Sequence, residues 1–376
     1  MTSIRVLVMT IVHHPLDTRI LVRQIAALVD AGHAVTYAAP FSTYGVEPPV
    51  DVTAVDLPRS VGRRRLGALR AARQLLRQTA GDYDVILIHD VELVMAAASV
   101  RGTPVVWDVH EDTAAAVTYK GWIPPALVRV AAGGVRVLEG WAERRFELLL
   151  AEAAYSERFR RSHPVVPNST IVEGDAPTPG PGRAVCVSTL TRARGALDLI
   201  EVGRMLRPQG IVLDVVGPAS SDVEVQLRRA DLDGDVRWHG RLPHSQAVER
   251  MRGATTGLSL LHNEHNYRHS HPTKVFEYFA MGIPVVATPL PLVVNLLNRL
   301  DAGIIVPFCH PAAAAAAVIE LHQDEERRLL LGNNGREAVL ANHNWADDAK
   351  PFVAFIVAAS RRRNRGPSSN HQPTPQ

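Results

Sequence analysis

Short apolar runs alternate with amphipathic stretches along the chain, starting near its N-terminus. The run Ile4–Thr10 is typical of a buried parallel strand. Arg19–Ala31 carries apolar side chains at helical spacing up to Gly32, and Ala34–Ala38 is a second strand-like run. This strand–helix–strand unit recurs, which predicts an α/β protein with parallel sheets and right-handed crossovers.

The alternation extends through two halves of the chain, separated by a stretch without periodicity. Pro164–Gly182 is rich in Pro, Gly, Ser and Thr, which is typical of a linker. The first half is further predicted to contain helices over Leu66–Gln78, Glu92–Ser99 and Trp122–Phe146, and strands over Val85–Ile88, Pro104–Val109 and Glu147–Ala154. The second half is predicted to contain strands over Ala184–Val187, Ile211–Val216, Val236–His239 and Gly257–Leu261, and helices over Gly195–Arg207, Val223–Ala230, Ser245–Met251, Ala312–Leu321, Asp324–Asn342 and Asp347–Ser360.

These elements predict two Rossmann-like domains joined by a linker. We place the N-terminal domain at residues 1–164, the linker at 165–182 and the C-terminal domain at 183–345. Residues 346–360 are predicted to form a helix that packs back towards the N-terminal domain, and residues 361–376 a disordered tail. Because each domain carries polar loops at its strand ends, we expect a ligand cleft between the two parallel sheets.

The stretch from Ser270 to Thr288 stands out in the second half. Pro272 suits the first turn of a helix and Gly282 suits its end. Lys274 and Glu277 are three positions apart and therefore project from one side of that helix. The apolar run after Gly282 predicts a buried strand, and a helix start beside such a strand favours binding of an anion.

Titratable side chains follow three predicted strands of the first half. Ligands of open parallel sheets bind at the carboxyl ends of the strands. Such side chains also cap helices, but their recurrence in three loops at one edge favours a site. The residues are His13, His14, Asp17 and Arg19 after the first strand, His89 and Asp90 after a later one, and His110, Glu111 and Asp112 after another.

The composition describes a soluble globular protein without a nucleic-acid partner. Hydrophobic residues make up 46% and charged residues 21% of the 376 residues, and the net charge is +3. The arginine bias fits genomic base composition, and no nucleic-acid-binding module appears. Cys186 and Cys309 stand in unrelated contexts and form no disulfide or metal framework, which fits a reducing compartment.

The sequence predicts a cytoplasmic protein, because it shows neither a signal peptide nor a long apolar stretch. Two basic amphipathic stretches leave peripheral contact with the inner face of a membrane open. Arg63–Arg65 precede a helix with further arginines, and residues 123–145 form a second such stretch. Both fit an anionic lipid surface and a lipid-linked acceptor, and both equally fit solvated helix faces of an arginine-rich protein.

Several segments together resemble the GT-B glycosyltransferases, specifically the retaining enzymes of glycosyltransferase family 4. The resemblance runs from about Ile4 to Trp345 and implies two Rossmann-like domains around a central cleft. It also implies that the C-terminal domain holds a nucleotide-sugar donor and the N-terminal domain the acceptor. The segments, in order, are HHPLDTRI, AGHAVT, YDVILIHD, VVWDVHED, VSTLTRARG, LDVVGP, VRWHGRL and PTKVFEYFAMGIPVVAT.

The resemblance assigns roles to individual residues. It implies that Glu277 accepts hydrogen bonds from the donor ribose and that Arg194 and Lys274 contact the diphosphate, while Thr273, Gly217 and His269 belong to the same donor site. His110 is implied to face the donor sugar, so His110, Arg194 and Lys274 are the catalytic candidates. The acceptor-side candidates are His13, His14, Asp17, Arg19, Glu111 and Asp112. Four alternatives stay open: Arg194 as a solvated helix-start residue, His110 as a satisfied structural histidine at a strand end, an ion pair between Lys274 and Glu277, and another between Asp17 and Arg19.

The sequence departs from the family pattern at two places. His269 stands where many members carry a second glutamate, and the nearest upstream acid is Glu264. Ser188 and Thr189 stand where many members carry Gly-Arg, with Arg192 as a replacement cation at a different spacing. The first departure leaves the donor sugar unidentified, and the second removes one cation near the phosphates.

The implied reaction is retaining transfer of a hexose from a UDP-, GDP- or dTDP-sugar to the hydroxyl of a sugar, lipid-linked or small-molecule acceptor. Family members use front-face substitution, in which the leaving phosphate oxygen helps to deprotonate the acceptor. We expect no metal, because Arg194, Lys274 and a helix N-terminus supply the positive charge. The alternatives are a sugar-nucleotide epimerase or hydrolase of the same fold, and a non-catalytic binding subunit.

Overall fold

The computed structural model describes residues 2–110, 125–172, 174–264, 267–268 and 273–362 of the chain. The chain forms two compact units. Unit 1 contains residues 1–168 together with the chain from Asp347 onward, and unit 2 contains Ser169–Ala346. Each unit is built on one six-stranded sheet in which all pairs are parallel. The predicted fold class, α/β with two Rossmann-like parallel sheets, is confirmed.

The sheet of unit 1 is centred on its N-terminal strand. Its strands are β1 Arg5–Met9, β2 Ala34–Ala39, β3 Thr53–Asp56, β4 Val85–Ile88, β5 Val105–Val109 and β6 Glu147–Leu150, in the order β3-β2-β1-β4-β5-β6. Val6 of β1 is level with Val35 on one side and with Val85 on the other. The strand order reverses between β1 and β4, which makes this pair the topological switch point of unit 1.

The helices of unit 1 connect successive strands. They are α1, which is π-helical over Thr18–Ile25 and α-helical over Ala26–Asp30, α2 Phe41–Tyr44, α3 Arg65–Thr79, α4 Val91–Ala97 and α5 Pro125–Arg145, with 3₁₀ turns at Gly62–Arg64, Ala80–Asp82 and Ala153–Arg158. Ala68, Ala72 and Leu76 recur on one face of α3 and pack in one core with Leu7 and Ile86 of the sheet.

Unit 2 repeats the strand order of unit 1. Its strands are β7 Arg183–Val187, β8 Val212–Val216, β9 Arg237–Trp238, β10 Thr256–Ser259, β11 Val285–Ala287 and β12 Gly303–Ile305, in the order β12-β11-β10-β7-β8-β9. β7 pairs with the next strand in the chain, β8, and on its other edge with β10. The switch point of unit 2 therefore lies between β7 and β10.

The remaining helices follow the strands of unit 2. They are α6 Ala196–Leu206, α7 Ser221–Leu232, α8 His244–Met251, α9 Thr273–Ala280, α10 Pro291–Leu300, α11 Pro311–Gln323, α12 Glu325–Asn342 and α13 Trp345–Arg361, with 3₁₀ turns at Arg192–Arg194 and Arg207–Gln209. Almost all of α13 belongs to unit 1. No described helix is long and apolar enough to cross a membrane.

Four elements were not predicted from the sequence. α2 is a helix of four residues, too short to show a helical period. β3 is a four-residue strand with no fully buried position, so it lacks an apolar run. α10 and β12 follow the Ser270–Thr288 stretch directly; β12 is three residues long and opens on Gly303, which interrupts the apolar pattern. Several predicted boundaries also move. The strand predicted to reach Ala154 ends at Leu150, and the last helix reaches Arg361. Residues 363–376, predicted as a disordered tail, lie outside the described residues.

Candidate functional site

Polar side chains gather beyond the strand ends at both switch points. In unit 1, β1 is followed by Thr10–His13 and β4 by His89 and Asp90. In unit 2, β7 is followed by Ser188–Gly195 and β10 by Leu260–His262. Each unit thus presents titratable groups at the position where parallel sheets of this order bind ligands.

Tyr278 fixes α9 to the switch point of unit 2. Its hydroxyl accepts a hydrogen bond from the backbone N–H of Val187 at 2.9 Å and lies 3.4 Å from the backbone oxygen of Leu258. Its ring packs against Gly257, where an added Cβ would lie 2.3 Å from the ring. Because β7 and β10 hold Tyr278 from both sides, the neighbouring positions of α9 have a defined place beside the strand ends.

Glu277 and Lys274 form an ion pair on α9. The Nζ of Lys274 lies 2.8 Å from Oε2 of Glu277, whose residue is only 5% exposed. The pairing that the sequence left as an alternative is therefore present in the structure. A buried carboxylate that already has a cationic partner stays available to accept hydrogen bonds in its charged form. Thr273 begins the same helix and is partly exposed.

Arg194 ends the loop after β7 and reaches back to the strand end. The Thr191 side chain accepts a hydrogen bond from the backbone N–H of Arg194 and so caps the turn. The Arg194 guanidinium donates to Oγ of Ser188 at 3.4 Å and lies 5.7 Å from the ring centroid of Tyr267. Arg192 instead pairs with Asp222 at 3.1 Å with both side chains more than half exposed, which gives no support to Arg192 as a replacement cation.

Two glycines allow the strand ends of unit 2 to approach closely. Gly217 follows β8 with a φ of +135°, and a Cβ there would lie 1.8 Å from the backbone oxygen of Ser188. Gly195 precedes α6 with a φ of +74°, and a Cβ there would lie 2.2 Å from the backbone oxygen of Leu260. Neither position accepts a side chain without movement of the backbone, so both glycines shape the site.

Both cations of the predicted donor site act on the end of β7. Burial raises the pKa of Cys186 to about 12, while the positive charges of Lys274 and Arg194 oppose that rise. Both positive charges thus lie close enough to β7 to affect the pKa of the Cys186 thiol in that strand. Two cations and one buried carboxylate therefore surround the switch point of unit 2.

In unit 1, Asp108 is a buried carboxylate held by α1. The guanidinium of Arg19 donates to both Asp108 oxygens at 2.7 Å, and Gln24 donates to one of them at 3.1 Å. Burial alone would raise the pKa of Asp108, but the charge and hydrogen bonds of Arg19 hold it well below its usual range.

The structure corrects the sequence prediction for Arg19. Arg19 is 4% exposed and pairs with Asp108, not with Asp17. Asp17 caps α1 instead, since its Oδ1 accepts from the backbone N–H groups of Arg19 and Ile20. Arg19 thus holds the buried carboxylate of Asp108 in unit 1. Contacts of Arg19 or Asp17 with an acceptor stay a prediction.

Asp90 joins the two strands of the switch point in unit 1. Its carboxylate accepts hydrogen bonds from the backbone N–H groups of Ile11 and Val12 and from the hydroxyl of Thr10. Oδ1 of Asp90 lies 3.3 Å from Nε2 of His13. Burial raises the pKa of Asp90, against the opposing effect of His13.

Three histidines line a pocket of about 50 Å³ beside Asp90 and Asp108, with room for roughly one water-sized group. Nε2 of His110 lies 3.0 Å from Nε2 of His13, and the ring of His89 lies 5.7 Å from that of His110. Burial lowers the pKa of His89 to about 4, although Asp108 opposes the shift. Nδ1 of His89 lies 3.2 Å from Oδ2 of Asp108, whereas its buried Nε2 has no hydrogen-bond partner among the described residues, so the neutral ring offers one nitrogen to a ligand.

The surroundings of His110 select its tautomer. Nδ1 of His110 lies 3.1 Å from the backbone oxygen of Asp108, which only accepts hydrogen bonds, so Nδ1 carries a proton. A neutral His110 then presents an unprotonated Nε2, to which Nε2 of His13 donates. One hydrogen is therefore shared between the two Nε2 atoms at the pocket.

Several predicted site residues are not part of this cluster. His14 accepts a hydrogen bond from the backbone N–H of Leu16 at 3.1 Å, and its ring packs on Tyr44 at 4.4 Å. Glu111, Asp112 and His269 lie outside the described residues. The structure thus brings together His13, His89, Asp90 and His110 in unit 1, and Arg194, Gly217, Lys274 and Glu277 around the switch point of unit 2.

The sequence analysis missed Asp108 and Tyr278 as organising residues. Asp108 stands inside the apolar run of β5, and a charged residue within a buried strand signals a buried partner. Tyr278 was hidden among the apolar positions of α9, where the hydroxyl gives no periodic signal. Both roles depend on contacts with residues distant in sequence.

Comparison with known proteins agrees with this geometry. Residues 18–172 match the family described as "Glycosyl transferase 4-like domain", and residues 198–354 match "Glycosyl transferase-like". No curated protein sequence matches the chain. Each half of the chain is therefore similar to a glycosyltransferase domain.

Solved structures share the fold at low sequence identity. A sucrose-phosphate synthase from Thermosynechococcus elongatus is similar with a TM-score of 0.70 and 17% identity, over 96% of this chain and 100% of that one. HepE from Anabaena, in complex with UDP and glucose, has a TM-score of 0.67 and 14% identity over 94% and 100%. WaaG, a glycosyltransferase involved in lipopolysaccharide biosynthesis, has a TM-score of 0.66 and 12% identity over 94% and 99%. The predicted GT-B fold is thus confirmed.

Proposed function

We propose that the protein is a retaining glycosyltransferase of family 4, which transfers a hexose from a nucleoside-diphosphate sugar to an acceptor hydroxyl. The observation that carries the proposal is the arrangement of α9 in unit 2. Tyr278 fixes this helix to the ends of β7 and β10, and the helix presents the buried carboxylate of Glu277 beside Lys274. A carboxylate for ribose hydroxyls next to a cation for phosphates is the recognition that a nucleotide sugar requires.

In the proposed reaction the bond between the anomeric carbon and the phosphate oxygen breaks, and a bond to the acceptor oxygen forms on the same face. The acceptor proton passes to the departing phosphate oxygen. Lys274 and Arg194 stabilise the negative charge that grows on the diphosphate, with Thr273 at the helix start and the close backbone approach at Gly217 completing the phosphate site. This proposal uses no metal ion.

Glu277 is assigned to the donor ribose and His110 to the donor sugar. Because His110 carries its proton on Nδ1, its Nε2 can accept a hydrogen bond from a sugar hydroxyl in place of the present contact with His13. His269 would approach the same sugar if it takes the place of the family glutamate. His13 and Asp90 extend the polar surface of unit 1 and are proposed, with Asp17, Glu111 and Asp112, for the acceptor side.

The nature of the acceptor is proposed from two observations. HepE was solved with UDP and glucose, and WaaG acts in lipopolysaccharide biosynthesis, so a UDP-sugar and a glycan or lipid-linked acceptor are the first pair to test. Arg70, Arg73 and Arg77 are exposed along α3, which suits contact with an anionic membrane surface. Sedimentation with vesicles of anionic phospholipid at low and high salt tests that contact, and absence of binding at low salt would exclude it.

The donor is tested by a thermal-shift screen of the full-length protein against UDP-, GDP- and dTDP-sugars. One nucleotide series is expected to raise the unfolding temperature, and calorimetry then gives its Kd. The Glu277→Gln variant should weaken binding about 10-fold or more, since an amide replaces a charge-assisted acceptor. The exposed change Glu326→Gln is the matched control and should leave the Kd unchanged.

Turnover separates transfer from the alternative activities. Release of nucleoside diphosphate that requires an added acceptor supports transfer. Release without an acceptor indicates a hydrolase, and interconversion of the sugar an epimerase. If no nucleotide sugar binds in either assay, the proposed enzyme is wrong. If Glu277→Ala keeps full turnover, the assigned site is wrong.

A further inference from the structure

Three side chains of metal-binding type meet at the carboxyl edge of the unit 2 sheet. Asp198 lies in the first turn of α6, His262 follows β10, and Cys309 lies between β12 and α11. One ligand atom from each residue can be chosen so that all three atoms lie within 4.8 Å of one another. The proposed transfer of a sugar uses none of them.

The backbone holds two of these ligands in place. The backbone N–H of His262 donates to the oxygen of Ala193 at 2.9 Å, and Nε2 of His262 lies 2.8 Å from Oδ2 of Asp198. The close approach of Gly195 to Leu260 brings the start of α6 against the end of β10. His262 and Asp198 therefore meet because their two elements are packed together, without dependence on a flexible loop.

Cys309 occupies a backbone conformation that a side chain makes costly. Its φ is +52°, and within the described residues only Asp301 shares a positive φ outside glycine. A non-glycine side chain is strained in this region of backbone conformation, and glycine would avoid that strain. Cys309 thus holds an exposed thiol in a strained backbone conformation, next to His262 and Asp198.

We propose that Asp198, His262 and Cys309 bind one thiophilic divalent cation, with Zn²⁺ as the expected ion. Oxygen, imidazole nitrogen and thiolate sulfur are the three ligand types that zinc takes in proteins, and a water molecule completes a tetrahedral site. Zinc ligands of this kind lie about 3.5 Å apart, so closing the present arrangement needs a shift of only about 1 Å. On binding, the hydrogen on Nε2 of His262 moves to Nδ1 and the Cys309 thiol releases its proton to solvent, and both side chains then coordinate the ion together with Asp198.

A second trio in unit 1 shows why these three residues are the better candidate. His89, Asp108 and His110 also bring ligand atoms together. There, however, both oxygens of Asp108 already accept hydrogen bonds from Arg19, and Gln24 adds a third donor. A cation beside the guanidinium of Arg19 would be repelled, and no such cation contacts Asp198 or His262 among the described ion pairs.

The test uses the full-length protein after treatment with a chelator. Titration with Zn²⁺ against a chromophoric chelator, together with elemental analysis after dialysis, should give one zinc ion per chain. Loading with Co²⁺ instead should give a tetrahedral visible spectrum and a sulfur-to-cobalt charge-transfer band in the near ultraviolet. This band identifies a thiolate ligand directly and does not depend on enzyme activity.

Three variants and one control decide the ligand set. Cys309→Ser should abolish the charge-transfer band, and His262→Gln and Asp198→Asn should each weaken zinc binding at least 10-fold. Cys186→Ala removes the other cysteine and should leave both the band and the stoichiometry intact. Failure to bind one equivalent overturns the proposal, and so does a stoichiometry that survives Cys309→Ser combined with His262→Gln, since the metal would then sit elsewhere.

Discussion

Asp108 and His89 lie side by side without exposure to solvent and hold different charge states at neutral pH. Oδ2 of Asp108 lies 3.2 Å from Nδ1 of His89. The pKa of Asp108 is held low by the guanidinium of Arg19, whereas burial lowers the pKa of His89 to about 4. The carboxylate is therefore ionised and the imidazole neutral at pH 7. The ion pair with Arg19 thus stabilises the charge of Asp108 in a buried region where an unpaired charge would be unfavourable.

Acidification should destabilise the protein through His89. The unfolded chain takes up a proton near pH 6.5 and the folded chain only near pH 4, so stability is lost as pH falls between those values. The difference corresponds to about 3 kcal/mol. Urea unfolding at a series of pH values should show this loss in the wild type and not in His89→Gln. Parallel pH profiles of the two proteins would contradict the prediction.

Removal of Arg19 should cost far more than removal of an exposed arginine. Arg19→Met leaves the buried charge of Asp108 without its partner and should lower the free energy of unfolding by about 3–5 kcal/mol. Arg5→Met removes an exposed partner of Asp84 and should cost less than about 1 kcal/mol. Denaturant unfolding measures both. Combining Arg19→Met with Asp108→Asn should restore part of the loss; no restoration would mean that packing, not charge, explains the effect.

At the scale of elements, periodicity predicted most helices and strands because their buried faces are continuous. β4 is apolar on both faces, β1 and β5 are so apart from Arg5 and Asp108, and α3 carries a regular buried stripe. β3 and β12 are short edge strands, so the sequence carries too little pattern to reveal them. The strand ends and the family resemblance together predicted which residues belong to the candidate site. The partners of Arg19 and the anchoring role of Tyr278 depend on contacts across the sheet, which spacing along the chain does not encode.

Gly217 at a strand end and Gly67 in a helix should respond oppositely to alanine. Gly217→Ala places a Cβ 1.8 Å from a backbone oxygen and should destabilise unit 2 severely, with loss of nucleotide binding. Gly67→Ala in α3 meets open space and should stabilise by about 0.5–1 kcal/mol. Unfolding curves and nucleotide Kd values check both. A Gly217→Ala protein with the wild-type Kd would show that the close approach is not needed for binding.

At the scale of the whole molecule, the two units contain the same strand order with different chemistry at their switch points. Unit 1 presents histidines and carboxylates, and unit 2 presents cations around one buried carboxylate. Under the proposed function this difference separates recognition of phosphate from recognition of sugar and acceptor. The same strand order thus gives each unit a switch point at which a ligand can bind.

A nucleoside diphosphate without a sugar should therefore protect unit 2 selectively. With UDP, GDP or dTDP at about 100 times its Kd, amide hydrogen exchange in the Ser188–Gly195 loop and in α9 should slow by up to about 100-fold. Strands β1 and β4 of unit 1 should exchange as in the free protein. Protection centred on unit 1, or equal protection in Glu277→Gln, would count against the donor assignment.

The return of the chain to unit 1 through α13 has a consequence for biosynthesis. Unit 2 occupies Ser169–Ala346, so all of its residues leave the ribosome before the segment that begins at Asp347. At about 5–20 residues per second, nearly two hundred residues separate the synthesis of Asn168 from that of Arg362 by roughly 10–40 s. Unit 1 begins first and is finished last. During that interval the nascent chain carries unit 1 without α13. We expect the need of unit 1 for chaperones to be greatest at this stage.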